Sequence, residues 1–356
     1  MKILLTKKVG DIMCEKRYYN YGDILSRKDL NGQTPSIYLI TSNRSAGKTF
    51  GALDLCLKDF KEKNRMFMLL YRTRDELSGA DTIFRDVLNL HKEYGLEMTS
   101  KSTSNGLFYT LFLDGEECGY ALSIRQPDKV KKYSGTFAKV YNIIFDEFML
   151  ETGDYIKNED ERLYSVLMTV ARGGGSVSRY VRVFLLGNNV STVNPYFLRF
   201  GINDRIKPNT KFIRGDGWIC HLATNEYASK EVAKNPISRA FGGNIVEYST
   251  QQKFLLDDDS YIKKMSGSAD YVGTIVYDTE EYGLYKQSNE FFITTKPNTT
   301  GKVFIFRSRD TTQKNPSLTA GVAILRILRE RWINGKVWCE NQKIKKIMTN
   351  VLSIAY

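Results

Sequence analysis

The chain has 356 residues, 42% of them hydrophobic, with 52 Lys plus Arg against 40 Asp plus Glu and a net charge of +12. At about 150 residues per domain this length fits two domains with buried cores, and the apolar content excludes a disordered or fibrous chain. The positive balance points to a polyanion (nucleic acid, nucleotide or an anionic membrane surface), while five scattered cysteines and two distant histidines exclude a disulfide framework, a zinc ribbon and a histidine metal site.

The opening MKILLTKKVGDI is too short an apolar stretch for a signal peptide, and no run approaches the ~20 apolar residues of a membrane span. A soluble cytoplasmic protein with reduced thiols and no membrane partner is expected. Residues 36–41 form a short apolar strand that stops at SNRSAGKT, and a helical pattern follows over 49–62. Residues 66–71 read as a strand and 75–94 as a helix. Residues 107–113 and 118–124 alternate around Asp114-Gly115, a hairpin signal. Residues 140–145 are a buried strand ending at Asp146-Glu147. Residues 158–171 read as a helix stopped by Arg172 and three glycines, and 181–186 as a strand ending at Gly187-Asn188-Asn189. Short apolar strands alternating with helices predict an α/β domain with a parallel sheet and ligands at the strand ends. From about Cys220 the texture changes. Mixed helical pieces and the acidic run 257–259 precede four strand-like pieces (271–277, 283–286, 290–295, 302–307) and helices over 318–334 and 341–352. Strands followed by helices predict a separate small α+β domain.

Ser42-Asn43-Arg44-Ser45-Ala46-Gly47-Lys48-Thr49, between a strand and a helix, matches GxxxxGK[ST] with Ser42 in place of the first glycine. Gly47 lets backbone N–H groups face phosphates, Lys48 reaches the β- and γ-phosphates, and Thr49 supplies a hydroxyl to Mg²⁺. The expected cofactors are therefore ATP and Mg²⁺. Asp146 and Glu147 follow an apolar strand, as the Mg²⁺-binding carboxylate and the water-activating carboxylate of a P-loop ATPase do. A strand (66–71) between the two motifs and a glutamate after the aspartate form the pattern of the additional-strand, catalytic-glutamate class.

Asn188, at the next strand end, is placed to read the γ-phosphate or the attacking water; ordinary turn chemistry is the competing reading. Arg172, at a helix end, can reach a neighbouring subunit's site and stabilise transferring phosphoryl charge, or can simply complement the helix dipole. Arg44, Arg72 and Arg74 are further candidates for action across a subunit boundary, with surface solvation as the alternative. Lys129, Lys131 and Lys132, and Lys101 in a Ser/Thr-rich loop before the hairpin, are candidates to grip DNA phosphates.

Taken together, SNRSAGKT, IIFDEF, the helix ending TVAR, and LLGNNVSTVNPYF resemble, in order and spacing, the DNA packaging ATPase of phi-29-type small podoviruses. That resemblance implies a homomeric ring of five subunits on the portal vertex of a prohead in the host cytoplasm, pumping double-stranded DNA inward with ATP. It implies that Lys48 and Thr49 bind nucleotide, that Asp146 and Glu147 act on Mg²⁺ and water, and that Arg172 acts in trans. Asn188 then couples hydrolysis to movement. Arg74 matches a basic position acting between subunits and Lys132 one in the lid. It also implies a C-terminal RNase-H-like domain that has lost its nuclease acids and docks on the portal and, in several members, on a packaging RNA.

The expected organisation is thus an ATPase over 1–219, a linker over 220–262 and a vestigial nuclease over 263–356. Net charge follows these blocks. Residues 1–219 hold 33 basic and 26 acidic side chains, 220–300 hold 8 and 11, and 301–356 hold 11 and 3. The last block carries Arg307, Arg309, Lys314, Arg326, Arg329, Arg331, Lys336, Lys343, Lys345 and Lys346, with Trp332 beside the arginines, a composition suited to RNA or a docking surface. The acids Asp270, Asp278, Glu280, Glu281 and Glu290 fall at strand edges or in a turn, so no nuclease centre is expected. Two alternatives remain: a terminase large subunit with an active nuclease, and a nucleic-acid-binding scaffold with an inactive P-loop.

Overall fold

The computed structural model describes residues 18–150, 155–172, 178–202, 205–207, 209–241, 261–277, 280–298, 301–306 and 318–353. The acidic run 257–259, Asp278, Arg307, Arg309, Lys314 and the glycines 173–175 lie outside the described residues. The chain divides into two units, Met1–Leu256 and Asp257–Tyr356.

In the first unit, α1 (Tyr21–Ser26) is capped by the Asn20 side chain and leads to β1 (Ile37–Ser42). Helix α2 (Lys48–Lys63) buries Ala52, Leu53, Cys56, Leu57 and Phe60, the i, i+3, i+4 stripe of a helix lying on a sheet, and ends at Asn64 in the left-handed conformation. β2 (Met66–Tyr71) is buried along nearly its whole length. The helix expected over 75–94 does not form as one piece. Two 3₁₀ turns (Asp75–Leu77, Thr82–Phe84) and α3 (Arg85–Leu90) replace it. Ser78 is extended there and Gly79 has φ +87°, so the helix cannot propagate through them.

β3 (Met98–Thr103) escaped the sequence reading because it is an edge strand whose Thr99, Lys101 and Ser102 are exposed. Lys101 therefore stands on a strand, not in a loop. The expected hairpin is β4 (Phe108–Leu113) and β5 (Glu116–Ser123). The short α4 (Pro127–Val130) precedes β6 (Val140–Phe145), and α5 (Glu159–Ala171) stops at Arg172 as anticipated. β7 (Arg182–Asn188), α6 (Pro195–Arg199), the hairpin β8 (Phe212–Gly215) and β9 (Trp218–Leu222), α7 (Glu226–Lys234) and α8 (Pro236–Phe241) follow.

The strands form one nine-stranded sheet, β3-β4-β5-β2-β6-β7-β1-β9-β8. From β5 to β9 every pairing is parallel, and these strands are buried on both faces, which explains their continuous apolar runs. In the sheet, the strand separating β1 from β6 is β7. β2, which separates them in sequence, lies beyond β6. The boundary expected at residue 219 falls inside β9, which pairs with β1, so residues 218–222 are part of this sheet.

The second unit holds β10 (Asp270–Tyr277), β11 (Glu280–Gln287), β12 (Glu290–Thr294), β13 (Lys302–Phe306), α9 (Leu318–Ile333), β14 (Val337–Cys339) and α10 (Gln342–Ser353). Its sheet runs β13-β10-β11-β12-β14, an antiparallel meander with one parallel strand added at each edge. The three-residue β14 was not anticipated. The core packs Ile275, Leu284, Ile293 and Phe304 against Leu328, Ile344 and Met348. Glu280 and Glu281 open β11, whereas Asp270 and Glu290 pair with its far end, about 20 Å away along the strand. Glu280 is bonded by Lys343 at 2.5 Å and Glu290 by Lys263 at 2.8 Å.

Beneath the first sheet Asp59 of α2, 2% exposed, accepts hydrogen bonds from Lys63 (2.8 Å), from the Asn142 amide of β6 (3.1 Å) and from Arg182 of β7. Burial pushes its pKa up, but these donors outweigh it and hold the carboxyl below its usual range. Its stabilising contribution is present above the unfolded carboxylate pKa and fades as pH falls through the lower folded value. Asp59→Ala leaves Arg182 without its anion and is expected to destabilise this unit by about 3 kcal/mol at pH 7, with a smaller difference at pH 3, read by urea unfolding.

Candidate nucleotide site

The C-terminal ends of β1, β7 and β6 emerge side by side, with Ser42 in register with Asn188. The loop leaving β1 curls through Ser45 (φ +62°) and Gly47 (φ +76°), and α2 starts at Lys48. A Cβ on Gly47 would lie 2.6 Å from the Tyr18 ring and 3.0 Å from Tyr18 Cα, so a side chain is excluded there by space as well as by φ. Ser42, which stands where the motif has its first glycine, does not adopt positive φ; it closes β1 as ordinary strand. Its hydroxyl has a use instead, accepting from Lys48 Nζ at 2.8 Å.

Lys48 is 6% exposed, and its ammonium also donates to Asn188 Oδ1 at 3.1 Å. Burial pulls its pKa down to about 8, opposed by the Asp146 carboxylate. Thr49 Oγ1 donates to Asp146 Oδ2 at 2.5 Å, and the Glu147 N–H donates to Asp146 Oδ1 at 2.8 Å. Burial pushes the Asp146 carboxyl up, and the Thr49 hydroxyl, the Glu147 N–H and Lys48 counter it. A hydroxyl and a carboxylate converging on one point are the hard oxygen donors that Mg²⁺ takes, so these two residues fit that ion. Glu147 is exposed and has φ +53°, a strained conformation for a residue with a side chain.

Four expected site residues thus fall into two hydrogen-bonded pairs, Lys48 with Asn188 and Thr49 with Asp146, brought side by side because Lys48 and Thr49 are neighbours in the chain, and Ser42 and Glu147 adjoin them. Asn43 turns away from this group. It is fully buried, and its amide donates to Asn225 O (3.1 Å) and Ser229 Oγ (3.0 Å), tying the loop to the start of α7. Arg44 is exposed on the loop, and Ala46 is buried beneath it. An open cavity of about 950 Å³ runs beside the loop, walled by Ser42 and Ala46, by Tyr18–Asn20 and by Leu222–Glu226. Sequence reasoning missed this wall, which is built from segments with no motif.

Arg172 caps α5 and is exposed. Arg74 is exposed and donates to Asn105 O (2.8 Å) and Gly106 O (3.1 Å), bracing the β3–β4 turn of its own chain. Lys129, Lys131 and Lys132 are exposed on α4 and the turn after it. Lys131 pairs with Asp128 at 2.6 Å, and Lys132 lies over the Tyr133 ring. None of these five joins the cluster around Lys48. Arg72 departs most from expectation. It is 8% exposed and bound to Glu159 and to the carbonyls of Glu147 and Phe148, so it does not reach a neighbour. At the end of a strand buried along nearly its whole length, its guanidinium turns inward to the buried carboxylate of Glu159.

Nearby phosphates would restore the charge on Lys48. At pH 8 nucleotide binding is therefore expected to take up about half a proton, because a lysine with a pKa of about 8 is half protonated there and one beside phosphates fully so. The uptake appears as a dependence of calorimetric binding enthalpy on buffer ionisation enthalpy. It vanishes at pH 6, and affinity falls as pH rises above 8.

Comparison with known proteins agrees with this geometry. Residues 13–354 match the family described as Podovirus DNA encapsidation protein (Gp16). The chain is 27% identical over 314 residues to the DNA packaging protein of Bacillus phage phi29, covering 85% of this chain and 89% of that one. It is 24% identical over 312 residues to the DNA packaging protein of Bacillus phage B103, covering 85% and 92%. Among solved structures, the bacteriophage Phi-29 viral genome packaging motor assembly shares the fold with a TM-score of 0.68 at 22% identity, covering 96% of this chain and 100% of that one. The Phi-28 gp11 DNA packaging motor shares it with a TM-score of 0.58 at 16% identity, covering 95% and 98%. With a match that spans nearly its whole length, the chain belongs to the Podovirus DNA encapsidation protein (Gp16) family.

Proposed function

We propose that the protein is the ATP-hydrolysing subunit of a ring motor that drives double-stranded viral DNA through a portal into a prohead. The observation that carries this reading is the convergence of Lys48, Thr49, Asp146 and Asn188 at adjacent strand ends, in a chain of the DNA encapsidation family. The backbone N–H groups of Ser42–Thr49 and the Lys48 ammonium hold the phosphates. Thr49 and Asp146 would hold Mg²⁺, which when bound neutralises charge on the phosphates. The exposed Glu147 carboxylate orients a water and takes its proton, Asn188 meets the γ-phosphate between them, and the cavity beside the loop takes the base and ribose.

A sheet in which β7 lies between β1 and β6, with a glutamate after the aspartate, supports assignment to the additional-strand, catalytic-glutamate class of P-loop ATPases. Arg172, exposed at the end of α5, supplies the transition-state cation to the next subunit of a five-membered ring. The exposed Lys101, Lys129, Lys131 and Lys132 are our candidates for DNA phosphate contacts, and Arg74 for one between subunits. The second unit, with its basic helices, is our candidate for a vestigial RNase-H-like domain that docks on the portal and a packaging RNA. The separation of Glu280 and Glu281 from Asp270 and Glu290 along β11 supports its lacking a nuclease centre.

DNA-stimulated ATP turnover tests the motor reading against a scaffold with an inactive P-loop; Lys48→Ala should abolish it. For Arg172, subunits carrying Arg172→Ala are mixed with subunits carrying Glu147→Gln. Each variant alone should be inactive, and mixed rings should regain turnover because an intact glutamate then faces an intact arginine. Placing both changes in one subunit should not regain it. Full-length protein with Mn²⁺ should leave plasmid DNA uncut, whereas cutting would restore the terminase-with-nuclease reading.

A further inference from the structure

Glu159, the first residue of α5, is only 1% exposed, yet no part of the nucleotide chemistry above uses it. Its carboxylate is saturated. It accepts from Arg72 Nη2 at 2.9 Å and from Arg72 Nε at 3.1 Å on both oxygens. The Tyr196 phenol of α6 donates to it at 2.7 Å, and the Ile156 N–H at 3.2 Å. The remaining donors of Arg72 reach the catalytic turn, with Nη1 on the Glu147 carbonyl at 2.6 Å and Nη2 on the Phe148 carbonyl at 2.9 Å. One buried carboxylate therefore gathers the end of β2, the turn after β6, the segment after β7 and the start of α5.

A buried ion pair is weak evidence for stability, since an apolar filling of the same volume often does as well. What an apolar filling cannot do is hold two backbone carbonyls. Both carbonyls follow the Glu147 Cα, whose φ is +53°, so Arg72 and its counter-charge hold the two peptide groups immediately after the catalytic residue and with them the course of the strained turn. The same carboxylate anchors α5. Asn158, the residue before it, makes no side-chain cap; the buried Glu159 network holds the helix's first turn from inside, and Arg162 Nη1 on the Arg125 carbonyl at 2.6 Å holds it from outside. On the surface the Arg199 guanidinium adds a bond to Asp160 at 2.6 Å. α5 then runs 13 residues, about 20 Å, to Arg172.

We propose that Glu159 is a positioning residue for two sites at once: through Arg72 it sets Glu147 in its own subunit, and through the rigid α5 it sets the Arg172 offered to the next. This rests on the reading that Arg172 acts in trans. A turn of the Glu147 backbone drags Glu159, and with it the helix that carries the neighbour's arginine. Hydrolysis in one subunit is thereby linked to the competence of the next. The phenol of Tyr196, kept protonated by burial and by the adjacent carboxylate, is the third support of the same point.

Glu159→Gln keeps the shape and removes the charge; Tyr196→Phe removes one donor only. Tyr196→Phe should unfold with a midpoint close to wild type and Glu159→Gln at a lower one, because it leaves Arg72 without its anion, so both are assayed at a temperature where the folded state is fully populated. Both should lose kcat, about tenfold for Glu159→Gln and less for Tyr196→Phe, with KM nearly unchanged because the phosphate loop is untouched. An unchanged kcat, or a loss carried by KM, overturns the first half. The second half is read in mixed rings. Glu159→Gln subunits diluted with Glu147→Gln subunits, whose α5 network is intact, should show turnover per Glu159→Gln subunit rising several-fold as correctly set arginines come to face them. No rise overturns the link if the Arg172→Ala and Glu147→Gln mixture does regain turnover. If that mixture regains nothing, the trans reading fails and this link falls with it.

Discussion

β7 lies between β1 and β6 and is hydrogen-bonded to both, and every distance in the site depends on that placement. With strands about 4.8 Å apart, one intervening strand sets the ends of β1 and β6 about 10 Å from each other. That gap is wide enough for a phosphate chain and narrow enough for Thr49 to touch Asp146 directly. The intervening strand is not inert. Its last residue, Asn188, accepts from the lysine, so the strand that sets the spacing also contributes a side chain to the site.

Burial works on this site in a uniform direction. It lowers the pKa of Lys48 and raises that of Asp146, so both charges are disfavoured by their surroundings. Each is partly compensated by the other and by Ser42, Thr49 and Asn188. A polyphosphate with its cation would supply opposite charges to both at once. Under the proposed function, binding would replace these protein partners with stronger, fully charged ones. The second buried pair, Arg72 with Glu159, has no such outlet. It is closed on protein groups on all sides, which suits it to holding backbone in place and not to binding a ligand.

Much of the phosphate site was legible in the sequence because its chemistry is local. Gly47-Lys48-Thr49 and Asp146-Glu147 are short runs whose residue types are dictated by phosphate and metal, and each ends an apolar strand that is easy to see. The α5 stop at Arg172 and the Asp114-Gly115 hairpin were legible for the same reason. β3 was not, since an exposed edge strand lacks apolar alternation, and β14 was too short to register. The 75–94 segment carried a helical pattern, but Gly79 broke it. Ser42 looked like a defect in a glycine motif and is instead a partner for the lysine, because that backbone position is extended.

The sequence by itself determined the family, the class of chemistry and the candidate phosphate-binding residues, because contiguous motifs encode them. Only the tertiary structure decided which distant side chains support those residues. Arg72 lies 75 positions from Glu147 and 87 from Glu159, and no local pattern marks it as anything but a solvated arginine. The fold brings the three together because parallel strands leave the same edge of one sheet. A charge delivered into that edge must find an opposite charge or stay unpaired in the interior.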